Sequence, residues 1–180
     1  MLGRFARGIQ DVELPEVKAL PVGPTRAEIY AYHAEYMANT PELYQPETLE
    51  RLRPTAEITI ATYIQGIHSI ERLRRAVKTT FRSVDLLVTP TMFVPPATIA
   101  GAEELELELI GKRQLSPLVR NTSAFDVYGL PSISVPCGFN RDGLPVGLQI
   151  TGPAWGEEQV LRLAYAYEQA TSWNRRPPTW

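Results

Sequence analysis

Hydroxyl side chains gather in one short segment of the chain, and an activated hydroxyl is a common nucleophile in hydrolases. Ser132 and Ser134 lie two residues apart in "PSISVPCGF", so both would point to the same face of a strand. Neither serine has the flanking glycines of the G-x-S-x-G turn that presents a nucleophile in many hydrolases. The favoured interpretation is that both hydroxyls bond to local backbone groups of a packed strand.

The other chemically versatile residues lack partners at a useful spacing. His33 and His68 lie in predicted helices, and the zinc-binding pattern H-E-x-x-H is absent. The sequence therefore predicts no metal site and no cofactor. Cys137 is the single cysteine and has no basic neighbour in sequence that would lower its pKa, so we expect a buried, inert thiol. Lysine occurs at only three positions, Lys18, Lys78 and Lys112.

Composition and charge exclude several classes of protein. A chain of 180 residues is long enough to bury a core, and we expect a single domain over residues 1–180. The net charge of −2 and the absence of a basic stripe predict no direct nucleic-acid partner. No run reaches the roughly 18 apolar residues that span a bilayer, so no membrane association is predicted. One cysteine and an N-terminus without an apolar signal region favour a cytoplasmic location.

Periodicity predicts the elements that must position these residues. One helix is expected after Pro24, a long helical stretch over 46–81, and a third helix after Gly156. The segment 93–117 is expected to be a surface loop. Short strands are expected at Val12–Pro15 and at Val84–Thr91, where the continuous apolar run of the second is typical of a strand buried on both faces.

Two further strands flank a turn at Asn140–Gly143, which has the asparagine and glycine preferences of a type I turn. They predict a hairpin. Strands combined with long helices give an α/β domain in which a mixed β-sheet is flanked by helices.

Three runs together resemble the C-terminal part of the amidase signature family: "DLLVTPT" (Asp85–Thr91), "NTSAFDVYGLPSISVPCGF" (Asn121–Phe139) and "DGLPVGLQITGPAWGEEQVLRLAYAYEQAT" (Asp142–Thr171). The resemblance covers the chain from about Val12 onward. It implies a partial amidase fold, a large mixed sheet between helices, and hydrolysis of carboxamide C–N bonds. The family mechanism uses a nucleophilic serine, a second serine and a lysine, with an acyl-enzyme intermediate.

The resemblance assigns no catalytic residue to this chain. In the family, the lysine and a Gly/Ser-rich loop precede the region matched here, and none of the three lysines stands at the motif position. We therefore expect a chain that lacks the reactive half and is inactive alone. The resemblance also implies that Thr122, Ser123 and Asp126 border the acyl pocket, with a capped helix start or solvated turn as the simpler alternative. Asp126 stands where many relatives have asparagine.

Three functions remain open at this point. The chain could be part of an amidase that binds a small-molecule amide once the missing half completes it. It could instead be a non-catalytic interaction subunit or remnant, or the A-type subunit of a glutamine-dependent amidotransferase. A sheet without its other half should leave an apolar edge, so we expect self-association or a partner chain at that edge.

Overall fold

A computed structural model describes residues 2–17, 22–109 and 117–173. The described helices are α1 (Val22–Asn39), α2 (Pro46–Leu52), α3 (Ile60–Val77), α4 (Ile99–Leu109), α5 (Arg120–Tyr128) and α6 (Glu157–Ala170). The strands are β1 (Leu87–Pro90), β2 (Ser132–Phe139) and β3 (Pro145–Thr151). No helix among these ranges is both long and apolar enough to cross a bilayer. Helices with a sheet confirm the α/β class.

The three strands form one sheet in the order β1–β3–β2. Both pairs are antiparallel, with Val88 opposite Ile150 and Ile133 opposite the same residue. The parallel pairs that a mixed sheet would contain are not among these strands. Because β3 is central, it is hydrogen-bonded to a strand on each side, and its side chains have neighbours on both β1 and β2.

The hairpin between β2 and β3 is confirmed. The amide of Asn140 donates to the carbonyl of Leu144 at 2.8 Å, and the amide of Gly143 donates to the carbonyl of Asn140 at 3.2 Å. The Asn140 side-chain oxygen accepts from two further backbone amides in the loop. Gly143 has a φ of 78°, so it takes the left-handed position of a three-residue hairpin loop.

Helix α6 covers one face of the sheet. It begins after Gly156 as predicted, with Glu157 and Glu158 in the first turn, where the helix dipole favours carboxylates. The core below it is built from Val135, Ile150, Val160, Ala164 and Tyr167. One face of β2 and β3 is therefore covered by α6, and the opposite face carries the polar side chains of the candidate site.

Helix α5 ends beside the sheet in a tight cap. Gly129 has a φ of 66°, and the amides of Gly129 and Leu130 both donate to the carbonyl of Phe125. This is a Schellman cap, in which glycine takes the left-handed position at little steric cost. Phe125 and Tyr128 then pack with Val77 and Leu87 in a second apolar cluster. The Tyr128 hydroxyl donates to the carbonyl of Pro15, and burial raises its pKa.

Contacts divide the chain into two compact units, residues 1–20 with 73–180 and residues 21–72. The expectation of one domain over 1–180 stays a prediction. In the second unit the long helical stretch predicted over 46–81 is interrupted by a 3₁₀ segment, Arg53–Glu57. Pro54 causes this break because it lacks an amide donor and its ring crowds the preceding turn. Thr59 then starts α3 by accepting the amide of Thr62 at 3.1 Å.

Three other expectations about elements are corrected. Val12–Pro15 forms no strand; Val12 and Leu14 pack against the second cluster without ladder partners. Part of the expected loop is helix, since α4 occupies Ile99–Leu109. The strand predicted in Val84–Thr91 exists as β1, but it pairs only with β3 among the described strands and Val88 is 38% exposed. A continuous apolar run therefore did not imply burial on both faces.

Candidate functional site

A row of polar side chains crosses the face of the sheet opposite α6. Gln149 of β3 lies opposite Thr89 of β1 and Ser134 of β2. Since residues directly opposite one another point to the same face, these three side chains form one line across all three strands. Gln149 is only 3% exposed, so this row includes a largely buried amide in the middle of the sheet.

Hydroxyl groups along this face bond to one another. Thr91 and Ser134 share a hydrogen bond of 2.6 Å, and Ser132 shares one of 2.7 Å with Thr151. The two serines therefore have local partners, as expected, although the partners are hydroxyls instead of backbone groups. No basic side chain of the described ranges is hydrogen-bonded to either serine. Neither hydroxyl is placed to lose a proton to a general base in the part of the chain described here.

Gly147 makes the hydroxyl pairing possible. A Cβ atom at this position would lie 2.6 Å from the Ser134 hydroxyl oxygen and 2.6 Å from that of Thr91. Both distances are far below an ordinary contact. The backbone amide of Thr91 also donates to the carbonyl of Gly147 at 2.9 Å, which holds the end of β1 against β3.

Helix α5 closes the side of this polar face. Asn121, in its first turn, donates from its side-chain amide to the carbonyl of Pro90 at 2.7 Å. The next residue, Thr122, donates its hydroxyl at 3.1 Å to the carbonyl of Val119, which also accepts the backbone amide of Ser123 at 2.8 Å. These two bonds fix the beginning of the helix beside the end of β1.

The sheet and α5 together border a partly open cavity of about 190 Å³. Its lining is Thr91, Thr122, Phe125, Asp126, Ser132, Ile133, Ser134 and Gln149. Of the three residues that the sequence placed at a pocket, Thr122 and Asp126 line this cavity and Ser123 does not. All three belong to α5: Thr122 and Ser123 lie in its first turn, which fits the alternative of a helix start, whereas Asp126 lies in its last turn. Their role in binding stays a prediction.

Two buried polar atoms of this row have no hydrogen-bond partner, and one charged group beside the row has no counter-charge. The Gln149 Nε2 atom is buried and has no hydrogen-bond partner, and the same holds for the Thr89 hydroxyl oxygen. Asp126 is the one charged residue in the cavity lining, and no cation of the described ranges lies within ion-pair distance of its carboxylate. It also lies in the last turn of α5, where the helix dipole disfavours an anion.

A larger depression of about 410 Å³ lies elsewhere in the same unit. It is an open groove lined by Gln10, Asp11, Val12, Glu13, Thr79, Thr80 and Ser83. The Gln10 amide already donates to the carbonyl of Ser83 at 3.0 Å. Because the groove is open and its amide is satisfied, the smaller cavity beside α5 is the better candidate for a binding site.

The remaining candidates lie away from this cavity. The His33 ring bonds to the Tyr44 hydroxyl at 2.8 Å, and His68 is exposed on α3. Cys137 is half-buried and not fully buried as expected, and burial raises the pKa of its thiol, which agrees with an inert group. Lys78 is exposed after α3, whereas Lys18 and Lys112 lie outside the described residues. No three His, Cys, Asp or Glu side chains in the described ranges are placed to hold a metal ion.

Sequence reasoning missed Gln149 and Thr91 as cavity residues. The signal for Gln149 was present, because it is the one polar residue between the apolar positions of "VGLQI". Such a residue in a central strand needs a partner or a purpose. Thr91 gave no comparable signal, since its place beside Ser134 depends on the strand order.

Comparison with known proteins identifies the family. The Amidase family model matches residues 27–161, most of the chain. The chain belongs to the amidase signature family. An amidase of Pseudomonas putida is 32% identical over 173 residues, which is 93% of this chain and 36% of that protein. The resemblance of the sequence motifs to this family is thereby confirmed.

Two more relatives define the extent of the match. The A-type subunit of the glutamyl-tRNA(Gln) amidotransferase of Nostoc sp. (strain PCC 7120 / SAG 25.82 / UTEX 2576) is 42% identical over 118 residues, 66% of this chain and 23% of that protein. A crystal structure of an amidase superposes with a TM-score of 0.69 at 23% identity and covers 83% of this chain and 34% of that chain. The fold is thus the amidase fold, and the chain spans about a third or less of these relatives.

Proposed function

We propose that the chain takes part in the hydrolysis of carboxamide C–N bonds and supplies one wall of the acyl pocket. The match to the P. putida amidase over 93% of the chain is the observation that carries this proposal. The proposed wall is the lining of the cavity beside α5, which includes Thr122 and Asp126. Ser123 lies on the same helix. A lining that exposes mostly apolar surface, with a few hydroxyl and carboxylate groups, suits a small acyl group.

The covalent chemistry is proposed to come from residues outside the described part of this chain. In the family mechanism a lysine, working through a second serine, removes the proton of the nucleophilic serine. The serine oxygen then attacks the amide carbon, the amine leaves with a proton, and water hydrolyses the acyl-enzyme. Lys78 is exposed and does not line the cavity, and the strand serines are bonded to threonine hydroxyls. We therefore expect the chain alone to be inactive.

The proposed complement is a polypeptide that carries the family's lysine and Gly/Ser-rich loop and pairs with the outer edge of β1. Both outer strands have one edge without a partner among the described strands. Edge β2 contains Pro136 and a register shift between Pro136 and Gly138, features that obstruct the addition of a strand. Edge β1 has its proline only at the last position, so it is the more accessible edge.

Labelling with a fluorophosphonate, which reacts with activated serines, tests whether the nucleophile belongs to the complement and not to this chain. The chain alone should remain unlabelled and should not release amine from a small aromatic amide. With the complement added, label should appear on the complement, amine should be released, and size-exclusion chromatography should show a complex. Labelling of the isolated chain, with the modified serine mapped by mass spectrometry, would refute the proposal.

A second candidate is the A-type subunit of an amidotransferase. The 42% identity to the Nostoc protein favours it, although over a shorter part of the chain. Measured ammonia release from glutamine by the complemented chain, faster than release from simple amides, would select this function. A complex that forms but hydrolyses neither substrate would instead support the third possibility, a fold used only for interaction.

A further inference from the structure

Helix α6 carries large exposed side chains on the side that faces away from the sheet. We propose that this side is a self-association surface, on which α6 of a second copy of the chain packs antiparallel about a two-fold axis. The surface lies across the sheet from the candidate site, so the inference does not depend on the proposed function.

Trp155, which precedes the helix, is the first observation. It is the third residue of a four-residue turn in which the amide of Gly156 donates to the carbonyl of Pro153 at 2.9 Å. Its φ of 65° is a conformation that glycine or asparagine usually supplies at this position of a turn. The residue is also 93% exposed. Neither backbone preference nor core packing therefore explains a tryptophan here, and exposed aromatic residues are frequent anchors of interfaces.

The outer side of α6 adds apolar and charged side chains. Tyr165 is 66% exposed and Leu161 is 58% exposed. Glu158 and Arg162 form an ion pair of 2.5 Å one turn apart, and both side chains are largely exposed. Residues at spacings of three, four and seven share one side of a helix, so these four side chains form a single stripe.

This stripe is complementary to itself. In a two-fold antiparallel pair of helices centred on position 160, each residue lies level with the residue equally far from 160 on the other side in the second copy. Glu158 then lies opposite Arg162 of the second copy, and Arg162 lies opposite its Glu158. The same register brings Trp155 level with Tyr165 of the second copy. One register therefore satisfies both the charges and the aromatic rings.

Other arrangements of the same surface are less favourable. A register centred on position 163 would pair Leu161 with Tyr165, but it would place Glu158 opposite Glu168, which has the same charge. A parallel pair would place each charged side chain beside its own copy. A wholly apolar partner would bury the exposed ion pair without adding any opposite charge. The antiparallel second copy is the partner that fits the stripe.

Sedimentation equilibrium of the full chain measures the association. One helix side and one aromatic anchor from each copy make an interface below the standard size, so we expect a Kd of about 100 µM. The protein concentration should range from about tenfold below to about tenfold above this value, because a dimer forms by mass action.

Charge reversal tests the register. Glu158→Arg and Arg162→Glu each place like charges opposite one another, so either variant alone should associate about tenfold more weakly than the unchanged chain. An equimolar mixture of the two variants should recover the association, because both contacts between the helices then join opposite charges. Leu43→Ser is the control, since it removes an exposed apolar side chain from the other compact unit and should leave the association unchanged.

Trp155→Gly separates binding from stability. Glycine accepts a positive φ, so the variant should be at least as stable in urea as the unchanged chain while associating about tenfold more weakly. The inference is overturned if the unchanged chain is monomeric up to about 1 mM, tenfold above the expected Kd. It is also overturned if the mixture associates no better than each charge variant alone, as association through the edge of β1 would give, or if Trp155→Gly associates as tightly as the unchanged chain.

Discussion

Replacing Gly147 by alanine places a methyl group where two hydroxyls already meet. The added carbon would lie 2.6 Å from the hydroxyl oxygens of Ser134 and Thr91, and 3.0 Å from the Thr91 Cβ atom. The backbone of Gly147 is not in the left-handed region, so the change is opposed by packing and not by backbone strain. The strands must move apart, and the hydrogen bond between the two hydroxyls is lost as they do so.

The magnitude follows from three contributions. Overpacking a tight site costs about 1–3 kcal/mol, and loss of the hydroxyl bond costs about 0.5–1.5 kcal/mol. Alanine lowers the conformational entropy of the unfolded chain, which offsets this loss of folded-state stability by about 0.4–1 kcal/mol. We therefore expect Gly147→Ala to lower the free energy of unfolding by about 2 kcal/mol.

Urea unfolding followed by circular dichroism at 222 nm measures this change. Gly8→Ala is the control, because a Cβ at Gly8 has no atom within 4 Å and should change stability little. In a background of Thr91→Ala and Ser134→Ala the two hydroxyl contacts are gone and only the 3.0 Å contact with the Cβ atom of residue 91 remains, so Gly147→Ala should cost about 1 kcal/mol or less there. An equal loss in both backgrounds would refute the explanation by the two hydroxyls.

Three further changes test other parts of the structure. Ile150→Ala, at a fully buried position, should lower the free energy of unfolding in urea by about 2–5 kcal/mol. Its control is Ile60→Ala, at a position that is 79% exposed, which should change stability little. Similar losses in the two variants would contradict the assigned core. Gly129→Ala should lower the free energy of unfolding by about 1 kcal/mol. Gly129→Asn should lower it less, because asparagine tolerates the left-handed conformation. Equal losses would argue against a conformational cause. Burial raises the Cys137 pKa, so the unfolded thiol ionises first and stability should fall as the pH rises above the ordinary pKa of a thiol, with a flatter profile in Cys137→Ala.

Local patterns predicted the elements whose physics is local. The hairpin at Asn140–Gly143 and the helix after Gly156 were found because turn and dipole preferences act within a few residues. The break at Pro54 was underestimated, although proline at that position removes a helix donor. The strand expected at Val12–Pro15 failed because a strand needs a neighbour with a free edge, and no local pattern reports one.

The candidate site was only partly predictable. The segment with Thr122 and Asp126 was singled out by its resemblance to the family, and both residues line the cavity. Gln149 could have been noticed as a polar residue in an apolar strand. Its pairing with Thr89 could not, because the two residues are brought together by the register between β1 and β3, sixty positions apart in sequence.

The sequence by itself determined the family, the α/β class and the positions of the hairpin and its following helix. Only the tertiary structure decided that β3 is central and that the hydroxyl of Thr91, the residue after β1, meets that of Ser134 in β2 above Gly147. It also decided that Gln149 and Asp126 face one cavity. The physical reason is that composition and periodicity report what each residue prefers, whereas a binding site depends on distances between residues far apart in the chain.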